Sequence, residues 1–501
     1  MLVKDLHWQE SVDIVVVGLG AAGAIAAITA RDLGAEVVVI EKQPQNHHYS
    51  NTAISAGTFI STTDVDKVVG YMESISHVEN DVFWTDRNII RTWAEYVYGN
   101  KTWAEELGAD IRYFGQAGNF PQVAGHECFQ VFQFAGAGMG MHNFLTSQVA
   151  RRGVRVLYGA PAEKLITDSK GKVVGVRCRN IKENRAINIE ARNAVIMATG
   201  GFEFNETMKL NYLKVYPSYF LGSPANTGDG HRMVMELGAD LWHMNCCAAR
   251  FVAKFVDYPY AFSMEFAGGN SDVRRAMATD RTTINSPAGY IFVDRSGKRF
   301  TSENIKAHTL YYELALYDSQ RNSYPRIPCF WIFDSRRMNS GPLPLKVLGC
   351  AGPAQLYQWK EDNKTELEKG WIVEGGSIEQ LAKKLAIPAQ ELLHTVQSYN
   401  DYCKDKNDPE FHRHVSDLVP LDSPPFYAVR LYPGGPNTQG GPRRDHRGRV
   451  LAVNGSPIPG LYAAGEFGSI YGMLYPSGGA NLGECIAFGR IAAESAIKGN
   501  A

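Results

Sequence analysis

Apolar and polar positions along the chain set out a series of strands that end in glycine-rich turns. Ile14 to Ala30, IVVVGLGAAGAIAAITA, is almost wholly apolar and almost long enough to cross a bilayer. Its glycines separate a β-branched run from an alanine-rich run, which predicts a buried strand turning tightly into a buried helix rather than a membrane span. The predicted elements are a strand at Asp13 to Val17, a turn at Gly18 to Gly23, a helix at Ala24 to Leu33 and a second strand at Glu36 to Ile40, followed by Glu41. Asn193 to Gly201, NAVIMATGG, and Gly460 to Glu466, GLYAAGE, repeat the pattern of an apolar strand ending in glycine. His231 to Leu237 and the segment Ser477 to Lys498 have helical, amphipathic spacing. Strand and turn signals run to about Asn245, give way to a mixture of aromatics, loops and helices, and return at Pro433. The chain shows no low-complexity tract, heptad run or internal repeat.

Composition narrows the class. The 501 residues suffice for several domains. With 45% hydrophobic and 21% charged residues the chain is globular, not disordered or fibrous. Lys plus Arg number 51 against 52 Asp plus Glu, so the net charge of -1 offers no electrostatic handle for nucleic acid or an anionic membrane, and the expected partner is a small molecule. The 8 cysteines are scattered from Cys128 to Cys485, Cys350 among them, without C-x-x-C or a histidine cluster. They read as buried thiols in a reducing compartment, with no metal site. The segment MLVKDLHWQESVD lacks a signal-peptide core, so a cytoplasmic location is expected.

The turn Gly18-Leu19-Gly20-Ala21-Ala22-Gly23 completes a βαβ dinucleotide fingerprint. Gly18 permits the tight turn, Gly20 lets main chain approach a pyrophosphate, and Gly23 lets helix pack on strand; the helix start supplies unpaired N–H groups for phosphate. Glu41 is placed to accept from a ribose hydroxyl. A glycine-rich turn alone is often only a turn, and FAD and NAD share this fingerprint. The strands ending in ATGG and GLYAAGE, with the glycine-rich helix start near the C-terminus, decide for FAD.

The order GLGAAG, ATGGF, NTGDG, GKRF, GLYAAGE, GG-x-N-x-G and FGRIA resembles that of the fumarate reductase and 3-ketosteroid dehydrogenase flavoprotein superfamily over essentially the whole chain. The resemblance implies an α/β fold: a discontinuous Rossmann-like FAD-binding domain, 1–246 and 433–501, with an α+β substrate-capping domain at 247–432. It implies FAD contacts at Gly18, Gly20, Ala22, Gly23, Glu41, Lys42, Ser50, Thr52, Ser55, Gly57, Ala162, Thr199, Gly200, Asp229, Gly465, Glu466, Ala480, Asn481 and Leu482. Some members attach flavin through a histidine after the second strand. That position aligns with Asn51, while His47 and His48 lie earlier and read as loop histidines, so noncovalent FAD is expected.

Dicarboxylate-binding members hold substrate with an Arg and a His near the C-terminal motif and protonate it with a cap Arg. Here Pro476 takes the place of the first Arg, Pro436-Asn437-Thr438-Gln439-Gly440-Gly441 stands at the His, and the cap position falls near Ala307. Two carboxylates without that clamp would be poorly solvated, which argues against fumarate as the substrate. Instead, Tyr475-Pro476-Ser477-Gly478-Gly479-Ala480-Asn481-Leu482-Gly483 resembles the 3-ketosteroid dehydrogenase segment whose tyrosine hydroxyl and a backbone N–H hold the ketone oxygen, here Tyr475 and Gly479. The alternative is a packed aromatic with Ser477 as helix cap.

The family's base is a cap tyrosine after G-x-R-F. TSENIKAHTLYYELALY offers, in order of preference, Tyr311, Tyr312, His308 and Lys306, each of which is also an ordinary helix residue. Tyr113 aligns with a supporting hydroxyl or is a loop aromatic. Gly125 to Met141 lines an apolar pocket or belongs to the core, His126 and His142 read as structural, and Arg443 and Arg444 as a solvated turn. The resemblance thus implies an FAD-dependent dehydrogenase that introduces a C=C bond α,β to the carbonyl of a cyclic ketone, a 3-ketosteroid or a smaller cyclohexanone. Its alternative is an ene reductase of an unsaturated acid or enone, like fumarate or urocanate reductases. Either uses a separate electron acceptor or donor. A third reading is a flavoprotein subunit that mainly passes electrons to a partner.

Overall fold

The computed structural model describes residues 6–116, 118–266, 289–303, 307–345 and 357–499. Lys306 and Cys350 lie outside them. The chain divides into two compact units. The first comprises 1–213, 222–248 and 437–501, and the second 214–221 and 249–436.

The first unit is built on an eight-stranded sheet. Glu10–Val17 lies at its centre, parallel to Val37–Glu41 on one side and to Arg185–Met197 on the other, with Val17 opposite both Ile40 and Met197. Arg155–Tyr158 continues the parallel order beyond Val37–Glu41, and Pro457–Ala463 beyond Arg185–Met197. The central strands are buried on both faces, which is why they read as continuous apolar runs. The helix Ala21–Asp32 and the final helix Ala480–Lys498 pack together on one face through alanine and glycine: a Cβ at Gly489 would lie 2.9 Å from the Ala22 carbonyl oxygen. Against this layer sit the strands Thr58–Thr62, Ile111–Gln116 and Phe129–Phe134, paired antiparallel. Phe129, Val131, Phe132, Phe134 and Met141 are core residues, so the apolar run after Gly125 builds the interior.

The second unit contains a seven-stranded sheet ordered Phe262–Ser263, Cys247–Ala253, Phe426–Thr438, Cys329–Asp334, Tyr290–Val293, flanked by Tyr219–Phe220 and Val373–Gly375. Helices Ile378–Leu385 and Ala389–Asp405 bury Leu381, Leu392 and Val396 against Ile291 and Ile332 of this sheet. The GKRF segment places Arg299 at the centre of a buried ionic node, 2.7 Å from Glu303 and 2.8 Å from Asp408. The helix Ala307–Glu313 follows. Among the described residues no helix is long and apolar enough to cross a membrane. The seven described cysteines are buried, and none of them is in a disulfide.

Candidate active site

The turn after the first strand is dictated by packing at two of its glycines. A Cβ at Gly18, where φ is +101°, would lie 2.4 Å from the Ala198 carbonyl oxygen; one at Gly23 would lie 2.0 Å from that of Gly18. Gly20 is different. Its φ is -76° and a Cβ there meets nothing nearer than 3.8 Å, so the protein's own packing does not demand glycine and the main chain is left open to a ligand. Gly20 caps the helix Ala21–Asp32 with no side-chain hydrogen bond and no acid in the first turn. The final helix starts the same way at Gly479, where φ is +82°. Both helix starts therefore present main-chain N–H groups and positive dipole without a carboxylate to neutralise them.

The loops around this turn are tied to one another. Glu41 accepts from Leu19 N at 2.9 Å and Gln43 N at 2.8 Å, with His48 Nε2 at 3.4 Å. Burial raises its pKa, but the His48 contact and the two N–H groups outweigh this and leave the carboxyl below its usual range. His48 is a buried loop histidine, and its ring lies 4.7 Å from that of His142. Burial, assisted by His48, pushes the His142 imidazole down to about 4. His142 Nδ1 lies 3.5 Å from Ser50 Oγ. Thr52 Oγ1 accepts from Ala21 N at 2.9 Å, Ser55 Oγ donates to the Thr52 carbonyl at 2.8 Å, and Gly57, at φ +63°, passes against Ala137. Lys42 and Asp229 pair with each other at 2.6 Å.

Thr199 Oγ1 is buried without a partner, and a Cβ at Gly200 would meet the Asn226 amide at 2.8 Å. Gly465, at φ +71°, packs on Ala22, bringing Glu466 to this end of the sheet. Ala162 sits on the strand Ala162–Thr167, paired with Cys178. Asn51 and Glu203 were not expected to interact: Asn51 Nδ2 donates to Glu203 at 2.9 Å and to Glu466 at 2.7 Å. No sequence period signals such a contact between positions 51, 203 and 466.

At the start of the final helix Tyr475 is buried and its Oη accepts from Asn481 N at 2.7 Å. The Asn481 side chain donates to Asn437 Oδ1 at 2.9 Å and accepts from Gln439 Nε2 at 3.1 Å. Asn437 Nδ2 donates to the Thr438 carbonyl at 2.8 Å, which fixes the orientation of the whole amide series because a carbonyl only accepts. The hydrogen-bond partners of Asn481 are thus uncharged. Asn119 Nδ2 bonds the Tyr475 carbonyl at 2.9 Å, and Tyr71 Oη bonds that of Pro476 at 2.9 Å, fixing the approach to the helix. Ala480 lies in the core and Leu482 packs beside it. Ser477 does not cap the helix; Gly479 takes that position.

Arg444 corrects the expectation of a solvated turn. It is fully buried because two residues of the final helix receive it: Glu484 pairs with its charge and the centre of the Phe488 ring lies 4.2 Å from it. Arg443 reaches Asp240 at 3.5 Å. Tyr113 is exposed on the strand Ile111–Gln116, not in a loop. In the second unit Tyr311 is fully buried, Tyr312 is half-buried with its ring 5.6 Å from Lys214 Nζ, and burial with the Arg250 charge pushes His308 down to about 3. Among the described residues no group of three or more His, Cys, Asp or Glu is placed to hold a metal.

A dinucleotide with a flavin fits the open Gly20 turn, the glycine-capped helix starts without acids in their first turns and the buried polar groups of the ATGG and GLYAAGE loops. The family model described as FAD binding domain matches residues 13–482. The chain belongs to this FAD-binding family. Vinyl phenol reductase of Lactiplantibacillus plantarum is 26% identical, over 96% of this chain and 94% of its own. The 4-oxocyclohexanecarboxylate 2-dehydrogenase of Sinomonas cyclohexanicum is 26% identical, over 97% and 92%. The solved structure of 3-ketosteroid delta1-dehydrogenase from Sterolibacterium denitrificans shares the fold, with a TM-score of 0.81 at 21% identity over 98% of this chain and 100% of that one. FAD is the cofactor, and the protein is an FAD-dependent oxidoreductase acting on CH–CH groups.

Proposed function

We propose that this FAD enzyme introduces a C=C bond next to the carbonyl of a neutral cyclic ketone, with Tyr475 and the Gly479 N–H holding the carbonyl oxygen. One observation carries the reading: the phenol oxygen of Tyr475 sits on the main-chain N–H of Asn481, so phenol and helix start converge, and the side chains bonded to Asn481 are amides. A C–H beside a ketone is too weak an acid to ionise at neutral pH unless donors stabilise the enolate oxygen as it forms. Bound FAD supplies the two-electron acceptor that takes hydride from the neighbouring carbon.

The phenols of the helix Ala307–Glu313 supply the base. Both hydroxyls are enclosed, but the Tyr312 side chain is half-buried where that of Tyr311 is fully buried, so Tyr312 is the first choice, and His308 is too weak a base at about 3. Asn51, engaged with two carboxylates and Ser223 N, leaves no nucleophile at the attachment position, which supports noncovalent FAD. The Sinomonas relative is by name a dehydrogenase of an oxocyclohexane, which supports the ketone class. The second reading, reduction of an activated C=C bond with electrons from a separate donor, is favoured by the vinyl phenol reductase relative. Anaerobic mixing separates them. Bleaching of the yellow enzyme by a saturated cyclic ketone supports desaturation; no bleaching by any ketone, with reoxidation of the reduced enzyme by an unsaturated acid or phenol, refutes it.

A further inference from the structure

Three segments of the cofactor site meet at one buried acid pair. Glu203 follows the ATGG loop and is fully buried, and Glu466 ends GLYAAGE with its Oε1 buried. Asn51 spans them with one amide nitrogen, 2.9 Å from Glu203 Oε1 and 2.7 Å from Glu466 Oε2, while its Oδ1 accepts from Ser223 N. Asn226 Nδ2 donates to Glu203 Oε1 at 2.8 Å and Thr438 Oγ1 to Glu203 Oε2 at 3.3 Å. The remaining oxygens crowd Gly201: a Cβ there would lie 2.4 Å from Glu466 Oε1 and 2.5 Å from Glu203 Oε2.

Among the described residues no ion pair joins a cation to either acid. Arg444 reaches the Gly465 carbonyl at 3.5 Å but is neutralised by Glu484. The Cys485 thiol on the final helix also faces Glu466, and burial pushes it up to about 12, so it stays uncharged. Two carboxylates this close, enclosed and without a cation, do not both ionise.

We propose that Glu203 and Glu466 share one proton, that Asn51 locks the protonated pair, and that this latch joins three loops of the cofactor site, so that losing the proton loosens FAD. Burial raises both carboxyls above their usual range, in line with the geometry. The folded protein then holds a proton that the unfolded chain has released. Stability falls as pH rises from the ordinary carboxylate range until the pair gives that proton up.

The test uses the holoenzyme. The infrared spectrum at pH about 8 should contain a carboxylic-acid C=O band that shifts in D2O and is missing in Glu203→Gln, whose amide donates where the shared proton did. Flavin fluorescence should report FAD affinity falling about tenfold or more once the pH is raised far enough to remove the band from the wild type, and less than about twofold over the same range in Glu203→Gln. Glu466→Gln should also lose the band and the fall in affinity, and serves if Glu203→Gln does not fold. A band retained in the variant, or a variant that releases FAD along the wild-type pH curve, overturns the proposal.

Discussion

At the residue scale the chemistry rests on a few polar groups whose surroundings differ. Tyr475 Oη and Asn481 N are 2.7 Å apart, so Tyr475→Phe leaves one helix-start N–H without its partner and, under the proposed function, removes a donor to the substrate oxygen. Turnover should fall roughly ten- to a thousand-fold with FAD still bound, and stability by about 1 kcal/mol. Steady-state kinetics with the flavin spectrum as control checks this, and unchanged turnover removes Tyr475 from the mechanism. The second comparison concerns the base. Tyr312→Phe should slow the proton-abstraction step, cutting turnover at least about a hundred-fold, whereas His308→Gln should leave it within about threefold. The reverse order would assign the proton to His308.

At the element scale, the same residue type serves two purposes in one turn. Gly23 is required because a Cβ there would lie 2.0 Å from the Gly18 carbonyl oxygen, and Gly20, whose Cβ would meet nothing nearer than 3.8 Å, only by a ligand. Gly23→Ala should therefore destabilise the fold by several kcal/mol, about 3 or more, or prevent its accumulation. Gly20→Ala should unfold within about 1 kcal/mol of wild type yet bind FAD far more weakly. Denaturant unfolding and flavin titration of the two variants separate the roles; a Gly20→Ala protein that keeps its flavin would show that the turn is only a turn. The final helix carries the same division. Gly479 is needed at φ +82° against Thr58 and Phe59, while Gly478 has open space around the position of a Cβ.

At the scale of the whole molecule, buried titratable groups set the pH range. His142 and His231 are held neutral by burial, each pushed down to about 4. Their folded values lie below the unfolded 6.5, so the stability they contribute is present above pH 6.5 and is lost as pH falls toward 4, up to roughly 3 kcal/mol each. His142→Gln should lose less stability than wild type across that window when thermal unfolding is followed against pH. Parallel curves would show that His142 is solvated in the native state.

Much of the first unit was legible from local pattern. The β-branched run before Gly18, the alanine run after it and the strands ending in ATGG and GLYAAGE name their own elements, because strand and helix periods and turn glycines are local properties. Boundaries moved by a few residues: the first helix begins at Ala21 and the last at Ala480, since each start is set by a glycine cap rather than by the apolar period. The partnerships were not legible. Arg444 reads as a surface charge in GGPRRD and is buried against Glu484; Asn51 reads as a loop residue and bridges two acids; Asn437 and Gln439 converge on Asn481. The sequence by itself determined the strand-turn-helix order, the glycine-rich turns and the family. Only the tertiary structure decided which polar groups face one another, because burial changes the cost of each charge and contacts across hundreds of residues leave no period in the chain.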